Sequence, residues 1–342
     1  MKCSSPPLPD ERVIPTANCS AARQAHEDLS PTRYSGSLPF RFSLSAILLF
    51  ASHGEKLIRH GSGSLSWTGP IVSMLSLQQV RMGMHGAVGE IGVHHGMFAI
   101  PVFHQARVGE RLLAADLFDA LQHLNVDSSG HGDRWKFLRN TARFGVHRDA
   151  IDLHVGLSTR LPIQYAQPLR LFSVDGGHTE SVTASDLAWA ACNALDGAII
   201  LLDDWPSTAW PGVQAGAKRQ WKCGTRRLTP FADVQNKLFL TTSRKHARQY
   251  IRVLLHSSFF GPRLQLSKGA TVHGAPVLRV KRTQMERSTT AELIIEWHRL
   301  ILEQAAASAN SSLTGNTNER DAMQEATREH RWSLLGAYLW PT

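Results

Sequence analysis

The 342-residue sequence lacks any apolar run long enough to cross a bilayer. Its most apolar stretch, residues 44–51, falls far short of the roughly 20 residues a spanning helix needs. It opens Met-Lys-Cys-Ser-Ser-Pro-Pro with no apolar core behind, so no secretory signal is expected. The four cysteines (Cys3, Cys19, Cys192, Cys223) show no CxxC spacing, which argues against a zinc ribbon or a disulfide framework. No GxGxxG fingerprint is present, so a dinucleotide pyrophosphate is not specifically called for. Acids are the scarcer charge, 28 against 37 bases, for a net +9. Much of the excess lies in the last hundred residues, with 14 Lys and Arg against 8 Asp and Glu. That region has no dense basic run and no interleaved aromatics, so a nucleic-acid partner is not expected. A cytoplasmic protein with no membrane association is the expectation.

What the chain does have is a central block of alternating strand and helix patterns. Residues 1–37, rich in Pro, Ser and charge, carry no apolar period and read as disordered. Residues 38–66 hold one short helix pattern and a Gly/Ser linker. From residue 67 the texture changes. Strands are expected at 87–93, 111–116, 150–155, 169–175 and 197–204, with helices at 71–84, 98–105, 134–144 and 181–195. Such alternation implies a parallel sheet with crossover helices. Strands covered on both faces explain the continuous apolar runs. Two more strands are expected at 236–242 and 276–281, with a helix at 244–256 between them. Residues 289–308 read as an amphipathic helix bearing Leu293, Ile294, Trp297, Leu300 and Ile301 on one side, a surface on which copies of the chain could associate. Residues 310–320 read as a polar linker.

In an open parallel sheet, ligands bind beyond the carboxyl ends of the strands. Four of the five central strands end there in chemically useful groups: Glu90 and Gly92, Asp116, Asp175, and Asp203 with Asp204. The turn Glu90-Ile91-Gly92-Val93-His94-His95-Gly96 would let backbone approach a ligand closely and present free helix N–H groups. An acid at the end of the second strand, Asp116, suits ribose hydroxyls, or it could simply cap a turn. Asp175, Asp203 and Asp204 would repel one another unless a cation or hydrogen bonds intervene. Hard oxygen ligands without cysteine favour Mg²⁺, Mn²⁺ or Ca²⁺ over zinc. His178, three residues past Asp175, is a candidate general base or an extra ligand. His94 and His95 read as turn residues or a substrate-side contact.

At these residues the chain resembles class I S-adenosylmethionine-dependent methyltransferases, in the branch related to cephalosporin hydroxylases and macrolide-sugar O-methyltransferases. The stretches that carry the likeness are Val88-Gly89-Glu90-Ile91-Gly92-Val93-His94-His95-Gly96, Ala115-Asp116-Leu117-Phe118, Phe172-Ser173-Val174-Asp175-Gly176-Gly177-His178-Thr179, and Leu202-Asp203-Asp204-Trp205 followed by Trp210-Pro211-Gly212-Val213. They span a methyltransferase domain at 67–282, between an N-terminal extension at 1–66 and a helical C-terminal extension at 283–342. The resemblance implies an α/β, Rossmann-like sheet of seven strands, mostly parallel, with an antiparallel last strand inserted beside the sixth and helices on both faces. Residues 236–242 are the expected sixth strand. It further implies S-adenosylmethionine as methyl donor, with Glu90, Gly92 and Gly96 shaping the pocket for its methionine end and Asp116 on its ribose. By the same likeness Asp175, Asp203 and Asp204 would bind Mg²⁺, and a small-molecule hydroxyl would be methylated with His178 as proton acceptor. Trp205 and Trp210 would wall the acceptor pocket or pack in the core. His94 stands where the family often has a middle glycine, and Met97 where it often has a small hydroxyl residue. A hydroxylase-like or non-catalytic relative, or a basic nucleic-acid-binding protein, are the alternatives.

Overall fold

The computed structural model describes residues 19–20, 40–58, 65–224, 226–281 and 290–312. The expectations of disorder at 1–37 and of a Gly/Ser linker at 61–64 therefore fall almost wholly outside the described residues. Among those described, the order of elements is α1 (Leu44–Ile58), α2 (Thr68–Arg81), β1 (Ala87–Ile91), α3 (Ala99–Phe103), β2 (Leu112–Asp116), α4 (Arg134–Arg143), β3 (Ile151–Val155) and β4 (Leu169–Val174). There follow α5 (Glu180–Asn193), β5 (Ala194–Leu202), α6 (Pro211–Cys223), β6 (Thr229–Val234), β7 (Lys237–Thr241), α7 (Arg244–His256), β8 (Leu264–Val272), β9 (Ala275–Val280) and α8 (Thr290–Ser312). No helix among the described residues is long and apolar enough to cross a membrane.

The nine strands form one sheet in the order β3-β2-β1-β4-β5-β7-β6-β9-β8. β3, β2, β1, β4 and β5 are mutually parallel. β7 runs antiparallel between β5 and β6. The mostly parallel sheet with an inserted antiparallel seventh strand is as expected, but the strand count and one assignment need correction. Residues 237–241 form the seventh strand, not the sixth. The sixth is Thr229–Val234, whose Pro230 and Asp233 break the apolar pattern. The sheet has two strands more than the expected seven: besides β6, β8 was not expected, and it forms a hairpin with β9, the strand expected at 276–281, which runs parallel to β6.

Side chains alternate between two cores. Ile199 and Leu201 of β5 join one, and Ile200 and Leu202 join the other. That is why residues 198–202 of β5 read as an unbroken apolar run. The first core is covered by α1, α2, α3, α7 and α8. The second is covered by α5 and α6, whose close approach suits their small facing residues Thr183 and Gly216. α8 is the amphipathic helix expected at 289–308, and it continues to Ser312 through the start of the expected linker. Its Leu293, Trp297, Leu300 and Ile301 are buried on its own chain, so that apolar stripe is not free for a second copy. Trp297 Nε1 donates to Ser73 Oγ at 2.8 Å, and its ring lies so close to Gly69 that a Cβ there would meet it at 2.5 Å. Contrary to the cysteine reading, Cys19 and Cys192 are joined in a disulfide inside the second core. Sequence separation hid the pairing: the two cysteines are 173 positions apart.

Candidate functional site

Parallel strands point their carboxyl ends at one rim, and β2, β1, β4 and β5 deliver Asp116, Glu90, Asp175, and Asp203 with Asp204 to it. A single open cavity of about 1180 Å³ is lined there by Glu90, Gly92, Asp116, Asp175, His178, Asp203 and Asp204. Gly96 is the exception. It lies beneath the first turn, beside Ile100 and Phe137, and does not line the cavity.

Backbone conformation shapes the β1 end of the rim. Gly92 has φ +84°, and a Cβ on it would sit 1.7 Å from the Asp175 carbonyl oxygen. Only glycine lets β1 and the β4 turn approach this closely. His94 follows with φ 47° and donates its backbone N–H to Asp116 Oδ2 at 2.7 Å. Asp116 Oδ1 accepts from the Phe118 N–H, also at 2.7 Å. The carboxylate thus ties the first turn to the end of β2, and with about four lone-pair sites it retains capacity for a ligand hydroxyl. Burial raises its pKa, opposed by those backbone donors. Glu90 is 1% exposed, and burial pushes it up to about 8 although the nearby Lys237 charge pulls the other way.

The other half of the cavity holds a cluster around His178. Its Nε2 lies 2.9 Å from Asp204 Oδ2 and 3.8 Å from Asp175 Oδ1, and its Nδ1 lies 3.5 Å from Asp127 Oδ2. Desolvation would lower the imidazole pKa, but the three carboxylates overcome it and carry it up to about 11. Trp210 stacks on the ring with centroids 4.5 Å apart. Trp210 lines the cavity, whereas Trp205 packs in the second core against Trp221. Gly212, in the first turn of α6, lets that helix close on the His178 carbonyl, 2.2 Å from where a Cβ would be.

Asp203 and Asp204 diverge although they are adjacent. Asp204 adopts φ 54°, a left-handed conformation uncommon outside glycine, and turns its carboxylate to His178. Asp203 instead pairs with Lys237, Oδ2 to Nζ at 2.6 Å, and its Oδ1 accepts from Asn236 Nδ2 and the Asp204 N–H. Burial favours the neutral acid, but Lys237 outweighs it and holds Asp203 below the usual carboxylate range. Asp175 is driven well above that range by burial and by the Asp203 charge.

Two residues of this site escaped the sequence reading. Asp127 sits in a polar loop with no periodicity to mark it. Lys237 opens an apolar strand, and its one signal was being the sole charge in Lys-Leu-Phe-Leu-Thr. As for a metal, one ligand atom from each of Asp175, His178 and Asp204 lies within 4.8 Å of the others, a spacing and donor set that fit a divalent cation. Asp203 lies at the same rim with its carboxylate already engaged.

Residues 90–205 match the family model described as "Methyltransferase domain", a stretch that runs from the end of β1 to just past β5. No curated protein sequence matches the chain. Among solved structures, the O-methyltransferase NovP aligns with a TM-score of 0.44 at 13% identity, over 52% of this chain and 80% of its own. The O-methyltransferase TomG from Streptomyces achromogenes, in complex with S-adenosylmethionine, gives 0.39 at 18%, over 58% and 90%. A TDP-rhamnose 3'-O-methyltransferase of calicheamicin biosynthesis gives 0.38 at 14%, over 67% and 96%. The match covers about a third of the chain, and over that third residues 90–205 are similar to a methyltransferase domain.

Proposed function

We propose that the protein transfers a methyl group from S-adenosylmethionine to a hydroxyl oxygen of a small molecule, within a core spanning residues 67–282. The observation that carries this reading is the union of two half-sites in one cavity. Glu90, Gly92 and Asp116 line one part, and Asp175, His178 and Asp204 line the other.

The donor's sulfonium supplies an activated methyl group, so the protein's task is alignment and proton removal. Asp116 would accept the ribose hydroxyls, held rigid by the His94 and Phe118 N–H groups. Glu90 would face the cationic methionine end, where its carboxylate form is favoured by ligand charge. The acceptor hydroxyl would lie against His178 Nε2. As the methyl carbon bonds to the acceptor oxygen, the carbon–sulfur pair returns to sulfur, and the hydroxyl proton passes to the imidazole. A divalent cation such as Mg²⁺ held by Asp175 and Asp204 would polarise the hydroxyl and offset the carboxylate charge that otherwise keeps the imidazole protonated. Trp210, stacked on the ring, excludes water from one face of His178.

The test is release of S-adenosylhomocysteine against a panel of phenols, sugars and polyketide alcohols, with and without chelator. Product with any hydroxyl acceptor, cut at least a hundredfold in His178→Gln, supports the reading. Release only with amine or thiol acceptors overturns O-methylation. Full activity in chelator removes the cation from the scheme.

A further inference from the structure

Lys237 reaches the rim from the antiparallel direction, beside Asn236. β1, β4 and β5 reach the rim with their carboxyl ends, whereas β7 starts there. Leu202 pairs with Leu238, so the next step of the same register sets Asp203 opposite Lys237. The Trp205 N–H donates to the Asn236 carbonyl at 2.8 Å just beyond and holds that register. The ammonium is 2.6 Å from Asp203 Oδ2 and lies under the Phe98 ring, 3.9 Å from its centroid. The side chain is 5% exposed and lines the cavity floor. Its charge also acts on Asp175 and Glu90. Asp203 Oδ1 is engaged as well, by Asn236 Nδ2 at 2.7 Å and the Asp204 N–H at 2.9 Å. Three fixed donors thus engage that carboxylate, one of them a full positive charge.

We infer that Lys237 is a built-in cation that withdraws Asp203 from the metal-binding set and weakens the grip of this site on a divalent ion. Asp175, Asp203 and Asp204 then divide. Asp175 and Asp204 remain for a cation beside His178, and Asp203 belongs to the protein's own ion pair. Two carboxylates suit a small dication that keeps several of its waters. A fixed ammonium beside the ligands repels any second positive charge in a site of low dielectric. Lys237 acts here as a positioning residue, because it holds Asp203 and touches no reacting atom. The inference rests on the proposed metal-assisted reading of this cavity.

The experiment is calorimetric titration of Mn²⁺ into the full-length protein, without acceptor. Lys237→Gln should bind Mn²⁺ at least tenfold more tightly than wild type, because Asp203 is freed and the repulsion removed. Lys237→Arg, which keeps the charge, should stay within about threefold of wild type by the same reasoning. The double variant Asp203→Leu/Lys237→Met removes the pair as a unit. It should also stay near wild type, and it answers the question if Lys237→Gln does not fold, since a buried pair replaced by apolar groups is often tolerated. Unchanged or weaker binding in Lys237→Gln overturns the inference, as does absence of Mn²⁺ binding in both wild type and Lys237→Gln. Loss of binding in the double variant overturns it too, because Asp203 would then be a ligand. Failure of methyl transfer would show instead in the S-adenosylhomocysteine assay, which these titrations do not use.

Discussion

Asp127 Oδ2 lies 3.5 Å from His178 Nδ1 and also accepts the backbone N–H of the same residue. One carboxylate from the loop after β2 thereby fixes both the ring and the main chain of a residue on the loop after β4. Its own loop is braced by the Ser129 N–H, which donates to Oδ1 at 3.0 Å. Against the cost of burial, these donors hold Asp127 far below the usual carboxylate range. Asp127→Asn should keep the fold and the cofactor affinity but lower kcat by about 10- to 100-fold, the scale expected for a misplaced proton acceptor. Steady-state kinetics beside a binding titration check it.

The close approach at Gly92 makes a sharp structural prediction. A methyl group 1.7 Å from the Asp175 carbonyl cannot be absorbed by rotating a side chain, since the obstacle is backbone. A positive φ adds to the cost. Gly92→Ala should lower stability by about 2–4 kcal/mol, in the range of strain at special backbone positions. Thermal unfolding of the variant measures it.

Glu90 carries a stability cost that grows with pH. Its carboxyl is raised by burial to about 8 in the folded protein, from 4.5. A raised acid contributes full stability below pH 4.5 and loses it as pH climbs through 8, because the unfolded chain releases the proton first. Glu90→Gln should therefore melt several degrees above wild type at pH 8, with the gap narrowing towards pH 5, while S-adenosylmethionine binding weakens. Lys237 keeps Asp203 as its partner in the variant. Melting curves at several pH values check the sign.

His104 works in the opposite window. It is buried among Phe42 and Phe50, with Nε2 2.9 Å from the Phe144 carbonyl oxygen, and burial lowers it from 6.5 to about 4. A depressed histidine costs nothing above pH 6.5. As pH falls from 6.5 towards 4 the unfolded chain takes up the proton first and stability drops, by up to about 3 kcal/mol at 1.36 kcal/mol per unit. His104→Phe should flatten that acid limb in denaturant titrations between pH 4 and 7, whatever it does to stability at pH 8.

The parallel half of the sheet was legible because strands buried on both faces leave continuous apolar runs, and those runs stop at acids. Leu112–Asp116, and residues 198–202 followed by Asp203, are examples. The antiparallel half was harder. Thr229–Val234 carries Pro230 and Asp233 inside the strand, and Leu264–Val272 alternates polar and apolar residues at the sheet edge. Neither has the pattern of a doubly covered strand. The acids of the rim could be listed from spacing alone, but their partners could not. Asp203 and Asp204 are neighbours in sequence, and only the left-handed turn at Asp204 and the antiparallel entry of Lys237 send them to different tasks.

The proposed function places S-adenosylmethionine at the carboxyl rim of the sheet, held through Asp116. Calorimetric titration of the cofactor into wild type and Asp116→Ala tests it most directly. Wild type should bind saturably, and the variant should lose about 2–3 kcal/mol, the worth of hydrogen bonds to a charged group. Absence of binding by wild type, or equal affinity in the two proteins, would contradict it.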